Sequence, residues 1–368
     1  MFYLQKILLP GAILVTLYVT FFAMRALRQF GLTLPTWGKW LTGLGAAVVV
    51  ALCTVNRGVG TILLLHLVVL DALLRLVGLL FRKKGAKVWG RLWGSGALTL
   101  LLATSIVLYG YVNMYTIRQT DYTLYTDKDI REEGYRVVLV ADVHYGVSLR
   151  NEQLQAACDR ISAENTDMVI LCGDIVDENT TKEQMEACFR IFGSIQSRYG
   201  VFYIYGNHDR SLPGSTHSFT PEELEENIIS NGITIVRDEV LPITEEFLLV
   251  GREDEGYSGF SNDRLSAAEL VEGVSQESFL LFAEHKPVSY LENAAAGADL
   301  ILSGHTHGGQ MWPINLFMAI TAANDNLYGS MAYTETTTGI VTSGLACWGF
   351  DVKNAAPSEY VVVTILPE

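Results

Sequence analysis

Acidic side chains are nearly absent from the first third of the chain. Residues 1–113 hold one, Asp71, against eleven lysines and arginines, a net charge of +10. Residues 114–368 hold thirty-nine acids and fifteen basic residues, a net charge of −24, so the 368-residue chain carries −14 overall. An acidic second part argues against nucleic acid as partner, because phosphate backbones are bound by basic faces. Cysteine is sparse and scattered. Cys53, Cys158, Cys172, Cys188 and Cys347 form no CxxC pair, which excludes a zinc knuckle or redox dithiol and leaves buried free thiols as the expectation. There is no GxxxxGKS/T loop, no HExxH and no GxSxG, so the usual nucleotide-loop, zincin and serine-hydrolase readings lack their motif. Internal repeats and low-complexity segments are absent too.

What the first part has is long apolar runs, near 7–24, 40–55, 60–81 and 95–113. A helix needs about 17–25 largely apolar residues to cross a bilayer. Three runs meet that length and 40–55 is marginal. The NRGVG segment between the second and third suggests a hairpin. The first run reads as a span and not a cleaved signal peptide, because it is long and further spans follow. Arg25, Arg28 and Lys39 follow the first run; Arg82, Lys83, Lys84, Lys87 and Arg91 follow the third. The opposite side has only Lys6, Arg57, Arg118 and Lys128. The positive-inside rule then predicts a multi-pass membrane protein with its acidic part extracytoplasmic. Loss of the marginal second span would place that part in the cytoplasm. Asp71 and Arg75 lie four apart within the third run, and an intrahelical ion pair is the expectation, with a functional intramembrane pair as the alternative. His66 has no evident partner in the sequence.

From about residue 133 the pattern changes. YRVVLVAD (135–142), DMVILCGD (167–174), VFYIYGNHD (201–209), SFLLFAEH (278–285) and DLILSGHTH (299–307) are apolar strands ending in polar groups. Helical stretches fall at 150–164, 181–197 and 221–230, and shorter strands at 233–236, 246–251, 339–343 and 359–366. Apolar strands alternating with helices predict an α/β domain over 133–368, its sheet covered on both faces. Residues 114–132, polar and tyrosine-rich, read as a linker.

Ligands of such sheets collect beyond the carboxyl ends of the strands. The residues delivered there are Asp142 and His144, Asp174, Asn207 with His208 and Asp209, His285, and His305 with His307. Each alone has an ordinary explanation, such as a helix cap or a turn. Five strands ending this way do not. Imidazole, carboxylate and amide suit Mn, Fe or Zn. The absence of thiolate argues against a structural zinc site. The set is too large for one metal and suits two, bridged by one carboxylate.

The ordered blocks DVH (142–144), GD (173–174), GNHD (206–209), His285 and GHTH (304–307) resemble the calcineurin-like metallophosphoesterase superfamily, and within it the membrane-anchored bacterial phosphodiesterase branch, over about 134–366. TSGLACWGF (342–350) resembles that branch as well. The resemblance implies a four-layer αββα sandwich, two mixed sheets flanked by helices; the apolar runs place about four transmembrane helices before it, over 1–113. It implies Asp142, His144 and His307 on a first divalent metal, Asn207, His285 and His305 on a second, and Asp174 bridging them. It implies that His208 assists the leaving group or transition state, with Asp209 holding its ring; support of Asn207 is the alternative. It also implies phosphoester hydrolysis, with a metal-bridging hydroxide attacking phosphorus in line. In GHTH, period-two alternation puts His305 and His307 on one side, and Gly304 admits a close backbone approach.

Other positions carry weaker expectations. Tyr145 and Gly146 could shape the pocket. Arg252 and Asp254, in GREDEGYSGF, follow a strand where a substrate loop could form, and Arg252 reads as a surface ion pair with a phosphate contact as the alternative. His217 reads as solvated. Trp312 and Trp348 read as core, with base stacking or a lipid groove as alternatives. Four spans point to a phosphodiester or pyrophosphate in a membrane lipid or envelope polymer as substrate. The alternatives are a cytoplasm-facing UDP-diacylglucosamine-type pyrophosphohydrolase, which the resemblance suggests, and a non-catalytic dimetal membrane sensor. Transport by the spans has little support, because they hold few ionisable groups.

Overall fold

The structure, a computed structural model, describes residues 2–55, 58–81, 86–209, 217–254, 264–321 and 323–368. Arg57, Arg82, Lys83 and Lys84 lie outside the described residues, as do 210–216 and the part of GREDEGYSGF after Asp254. The chain divides into two compact units, residues 1–111 with 349–352, and residues 112–348 with 353–368.

The first unit is helical: α1 (Phe2–Gln29), α2 (Thr36–Val55), α3 (Val59–Gly78), α4 (Ala86–Gly94) and α5 (Ala97–Met114). Among the described residues, four segments are long and apolar enough to cross a membrane, Gly11–Gln29, Thr36–Cys53, Val59–Gly78 and Ala97–Met114. The short second run thus gains length at its start, where TWGK continues the helix although its lysine interrupts the apolar pattern. The polar end of such a side chain can reach toward an interface while its stem stays apolar. Helix α4 has nine residues, too few for a hydrophobic period to announce it.

Asp71 is not paired with Arg75 within its helix. The Arg25 guanidinium of α1 donates to both carboxylate oxygens of Asp71, at 2.8 and 2.6 Å. Tyr18 donates to the same carboxylate at 2.6 Å, and Thr99 of α5 at 3.1 Å. Arg25 also lies over the Trp93 ring of α4, 4.0 Å from its centroid. The planar fork of arginine matches a carboxylate two oxygens at a time, and that geometry decides the partner over sequence proximity. The His66 Nδ1 sits 2.8 Å from the carbonyl of Ile62, inside its own helix.

In the second unit the strands are β1 (Ile117–Thr126), β2 (Tyr135–Val140), β3 (Met168–Cys172), β4 (Val201–Ile204), β5 (Ile233–Ile235), β6 (Glu239–Pro242), β7 (Phe247–Gly251), β8 (Phe279–Ala283), β9 (Leu300–Ser303), β10 (Gly329–Ala332), β11 (Thr338–Val341) and β12 (Ser358–Pro367). They form two six-stranded sheets, ordered β1-β12-β2-β3-β4-β5 and β10-β11-β9-β8-β7-β6. Both are mixed: β12 runs antiparallel to β2, and β6 antiparallel to β7, while the central strands are parallel.

Side-chain alternation separates the layers. Tyr135, Val137 and Leu139 of β2 meet Phe247, Phe279 and Leu300 of the other sheet in the middle core. Val138 and Val140 face the other way, with residues of α6 (Asn151–Ala163), α7 (Lys182–Phe192) and α8 (Pro221–Ser230). Leu280, Phe282 and Ile301 do the same for the second sheet, against α9 (Ala267–Leu270) and α10 (Tyr290–Ala295). The result is helix, sheet, sheet, helix. A last helix, α11 (Ile314–Thr321), buries no residue.

Two sequence readings change here. The segment 114–132 is not a linker, because ten of its residues form β1, paired in parallel with β12 along its full length. Its exposed and half-buried residues nearly alternate, the pattern of an edge strand, which needs no apolar run. The helix over 181–197 ends at Phe192, where Gly193 caps it. All five cysteines are free thiols, four of them buried.

Candidate metal centre

The candidate residues sit in the turns that leave β2, β3, β4, β8 and β9 at their carboxyl ends. Their backbone is unusual. Asp142, His144, Asp174, His305 and His307 all have positive φ, between 41° and 72°. Side-chain-bearing residues avoid this region, and those held in it tend to cluster where strain serves function. Two glycines make the approach possible. A Cβ on Gly304 would stand 2.5 Å from Asp142 Oδ2, and one on Gly206 would stand 2.3 Å from Asp174 Oδ1.

The turns bring the side chains into two groups, Asp142 with His144 and His307, and Asp174 with His285 and His305. Within each group the donor atoms lie within 4.8 Å of one another. Asp174 Oδ2 is 3.0 Å from His285 Nε2 and 3.8 Å from His144 Nε2, so this carboxylate lies between the groups. The arrangement fits divalent cations on three counts. The ring nitrogens His144 Nε2 and His307 Nε2 face each other at 3.2 Å, with Asp142 Oδ1 3.6 Å from the latter. Asn207 Oδ1 is buried without a hydrogen-bond partner. The His285 Nδ1–H donates to the Cys172 carbonyl at 2.9 Å, which aims Nε2 inward.

Electrostatics agree with this geometry. Burial alone would raise the Asp174 carboxyl, but His285, His144 and His208 hold it well below the usual carboxylate range. Burial works against the charged form of His285, and Asp174 overrides it, lifting the imidazole to about 10. Burial, reinforced by the His285 charge, pushes His305 down to about 3, and burial with His144 pushes His307 well below its ordinary value. Those two rings are neutral near pH 7 and offer lone pairs. Two divalent metal ions therefore have carboxylate, imidazole and amide donors within reach, and the His285 ring would give up its proton to a cation that binds it.

His208 and Asp209 do not pair as the sequence suggested. Asp209 is fully buried and accepts from four backbone amides, those of Asp174, Ile175, Val176 and Gly206, at 2.7–3.1 Å. It holds the turn that carries Asp174, because these amides outcompete the ring of the preceding residue, His208. The His208 ring instead meets Glu178, with Nδ1 2.9 Å from the carboxylate, and its backbone N–H donates to Asp174 Oδ1 at 2.7 Å. Glu178 and Asp177 were not anticipated. Asp177 Oδ2 stands 3.5 Å from His144 Nδ1. Both follow Asp174 in GDIVDE, and acids so close behind a ligand are the one signal that pointed to them.

Lys353 was also missed. It is fully buried, and its ammonium donates to the carbonyls of Ser343, Gly344 and Ala346 at 2.5–3.2 Å. That loop in turn backs the first ligand turn, since the N–H groups of Leu345 and Ala346 donate to the carbonyls of Ala141 and Asp142.

The weaker candidates divide. Arg252 is buried and bonds Glu292 at 3.0 Å and Asn293, so it is neither a surface pair nor a phosphate contact. Asp254 is buried and meets Lys286 at 3.1 Å. His217 is half-buried, its Nε2 3.1 Å from the His208 carbonyl. Tyr145 packs under the helices of the first sheet. Trp348 is 45% exposed and so is not core; its ring centroid lies 5.3 Å from that of His208. Trp312 is half-buried.

Residues 135–309 match the sequence profile of the calcineurin-like phosphoesterase family. The chain is 28% identical over 250 residues to an uncharacterized metallophosphoesterase of Helicobacter pylori, a match covering 67% of this chain and 63% of that protein. It is 25% identical over 325 residues to a transmembrane protein with metallophosphoesterase domain from Danio rerio, covering 84% and 71%. Among solved structures, a dimetal phosphatase from Danio rerio aligns at 14% identity with a TM-score of 0.38, covering 58% of this chain and 88% of that one. The chain carries a calcineurin-like metallophosphoesterase domain, following helices long and apolar enough to span a membrane.

Proposed function

We propose that this protein is a membrane-anchored phosphoesterase that hydrolyses a phosphodiester or pyrophosphate bond of a membrane lipid or envelope polymer. The observation that carries the reading is the pair of ligand groups at one rim of the sandwich, with the Asp174 carboxylate between them. Asp142, His144 and His307 would hold one divalent ion, Asn207, His285 and His305 the other, and Asp174 both. Bound there, the two ions supply Lewis-acid polarisation of the phosphoryl group and neutralise the charge that builds on its oxygens.

The chain's own residues supply the rest. The Glu178 carboxylate, 2.9 Å from His208 Nδ1, orients that ring, whose Nε2 is the atom that would hand a proton to the leaving oxygen. The His208 N–H, bonded to Asp174, fixes that ring relative to the metal ligands. Asp209 keeps the Asp174 turn in its strained conformation. The basic segments flanking the spans support an extracytoplasmic position for this domain.

The test is turnover of bis-p-nitrophenyl phosphate by detergent-purified protein with added Mn, Fe or Zn. Metal-dependent release of p-nitrophenol is expected. A protein that binds two metals yet turns over nothing is a sensor, and the reading fails. Protease accessibility of the domain in intact cells tests its side of the membrane, and protection there would favour the cytoplasm-facing pyrophosphohydrolase.

A further inference from the structure

We infer that an apolar rim made by α11 and Trp348 holds the alkyl portion of the substrate, so that the phosphoester reaches the metal centre as the head of an amphiphile. The inference rests on the phosphoesterase reading and adds to it the surface that would recognise the substrate.

Helix α11, INLFMAIT, is apolar at six of its eight positions and buries none of them. Ile314, Leu316, Phe317 and Ile320 are 37, 51, 68 and 81% exposed. An apolar helix normally hides at least one face in a core. One that hides none marks a surface reserved for something else.

Its position ties it to the chemistry. A Cβ on Gly309 would stand 2.5 Å from Asn315 Cβ, so the first turn of α11 abuts the turn that carries His307. Between them, Gln310 links the helix to Trp348. Its amide donates to the Trp348 carbonyl at 3.1 Å and accepts the Trp348 N–H at 3.0 Å. The Gln310 carbonyl accepts from Asn354 and Ala355 at 3.0 and 3.1 Å. Trp348, nearly half exposed, stands beside the His208 ring. One hydrogen-bonded assembly thus places exposed apolar surface against a centre lined by carboxylate and imidazole. That is the polarity of an amphiphilic phosphoester, with its charged head inward and its chain along the rim.

The occupant is an alkyl chain in preference to another protein because of where this domain works. Four helices of the same chain suit a bilayer, and only Tyr115 and Thr116 separate α5 from β1. Phosphoesters with long chains are the ones concentrated at such a surface.

The test uses full-length protein in nanodiscs and p-nitrophenyl phosphodiesters that differ only in a methyl, butyl or octyl second ester. The reacting bond is constant, so any trend belongs to the chain. Full burial of a methylene is worth about 0.8 kcal/mol, roughly fourfold in kcat/KM; partial burial on an open rim should give about tenfold in total from methyl to octyl. F317S/I320S should flatten the trend and leave the methyl ester unchanged, and W348A should flatten it in part. I229S, at an exposed isoleucine of α8, should leave the trend intact.

A flat wild-type series overturns the inference, as does loss of methyl and octyl turnover in equal measure. So does self-association through α11 that F317S/I320S abolishes without any chain-length trend, which would assign the face to a second copy. Octyl phosphate supplies an arm that needs no turnover. It should raise the wild-type Tm more than methyl phosphate does, and lose that advantage in F317S/I320S. Equal shifts overturn the inference. An intact difference with no turnover of any ester counts against the phosphoesterase reading alone.

Discussion

His208 and Asp209 are neighbours in the chain with different partners, and their variants should separate. H208A removes a ring that touches Glu178 and borders the metal ligands, but none of the amides that shape the Asp174 turn. It should keep two metals per chain by mass spectrometry while kcat falls about 10²–10⁴-fold. D209N puts an NH2 where backbone N–H groups converge, so at least one buried donor loses its acceptor. It should cost about 1–3 kcal/mol of stability and weaken metal binding about 10–100-fold. Full metal content and an unchanged melting temperature in D209N would contradict this account. The contrast also explains what could be read in advance. A strand running into Asp, His or Asn is a local pattern, so the ligand-type residues stood out. Glu178 meets His208 across 30 positions, and its closeness to Asp174 in GDIVDE is the one local sign of it.

Among the elements, the ion pair joining α1 to α3 invites the clearest measurement. Asp71 is buried and its carboxylate bonds the charged Arg25 and the hydroxyls of Tyr18 and Thr99. Removing one partner of such a pair leaves the other stranded, at a cost of about 3–5 kcal/mol, whereas replacing both by apolar groups is often near neutral. R25M and D71L should therefore each lower the thermal stability of the detergent-solubilised protein, and R25M/D71L should be more stable than either. Losses that simply add would show the two groups to be uncoupled. Apolar length made the spans legible, but not which helix supplies the partner, since Arg75 is near in sequence and Arg25 lies 46 positions away. The same limit hid β1. A polar edge strand alternates too weakly to stand apart from a linker, and its partner β12 lies at the far end of the chain. Strands β2, β3, β8 and β9, buried on both faces, were readable from composition alone.

At the scale of the molecule, metal should act as a stabilising ligand, because the donor groups come from turns far apart in sequence and meet only in the folded state. Chelation should lower the Tm of the second unit, and Mn at about a hundredfold over its Kd should restore roughly 2.7 kcal/mol, or about 5–10 °C for a domain of this size. A Tm indifferent to chelator and metal would mean that no such ions are held. The topology also dictates a timetable. Strand β12 fills the place between β1 and β2 in the first sheet. The ribosome makes it after the other eleven described strands, so the first two must wait, unzipped and adhesive, while residues 141–357 are made. Closing a sheet across so long a loop is intrinsically slow. A ten-residue strand left open beside a membrane anchor for that interval is where a chaperone has the most to do.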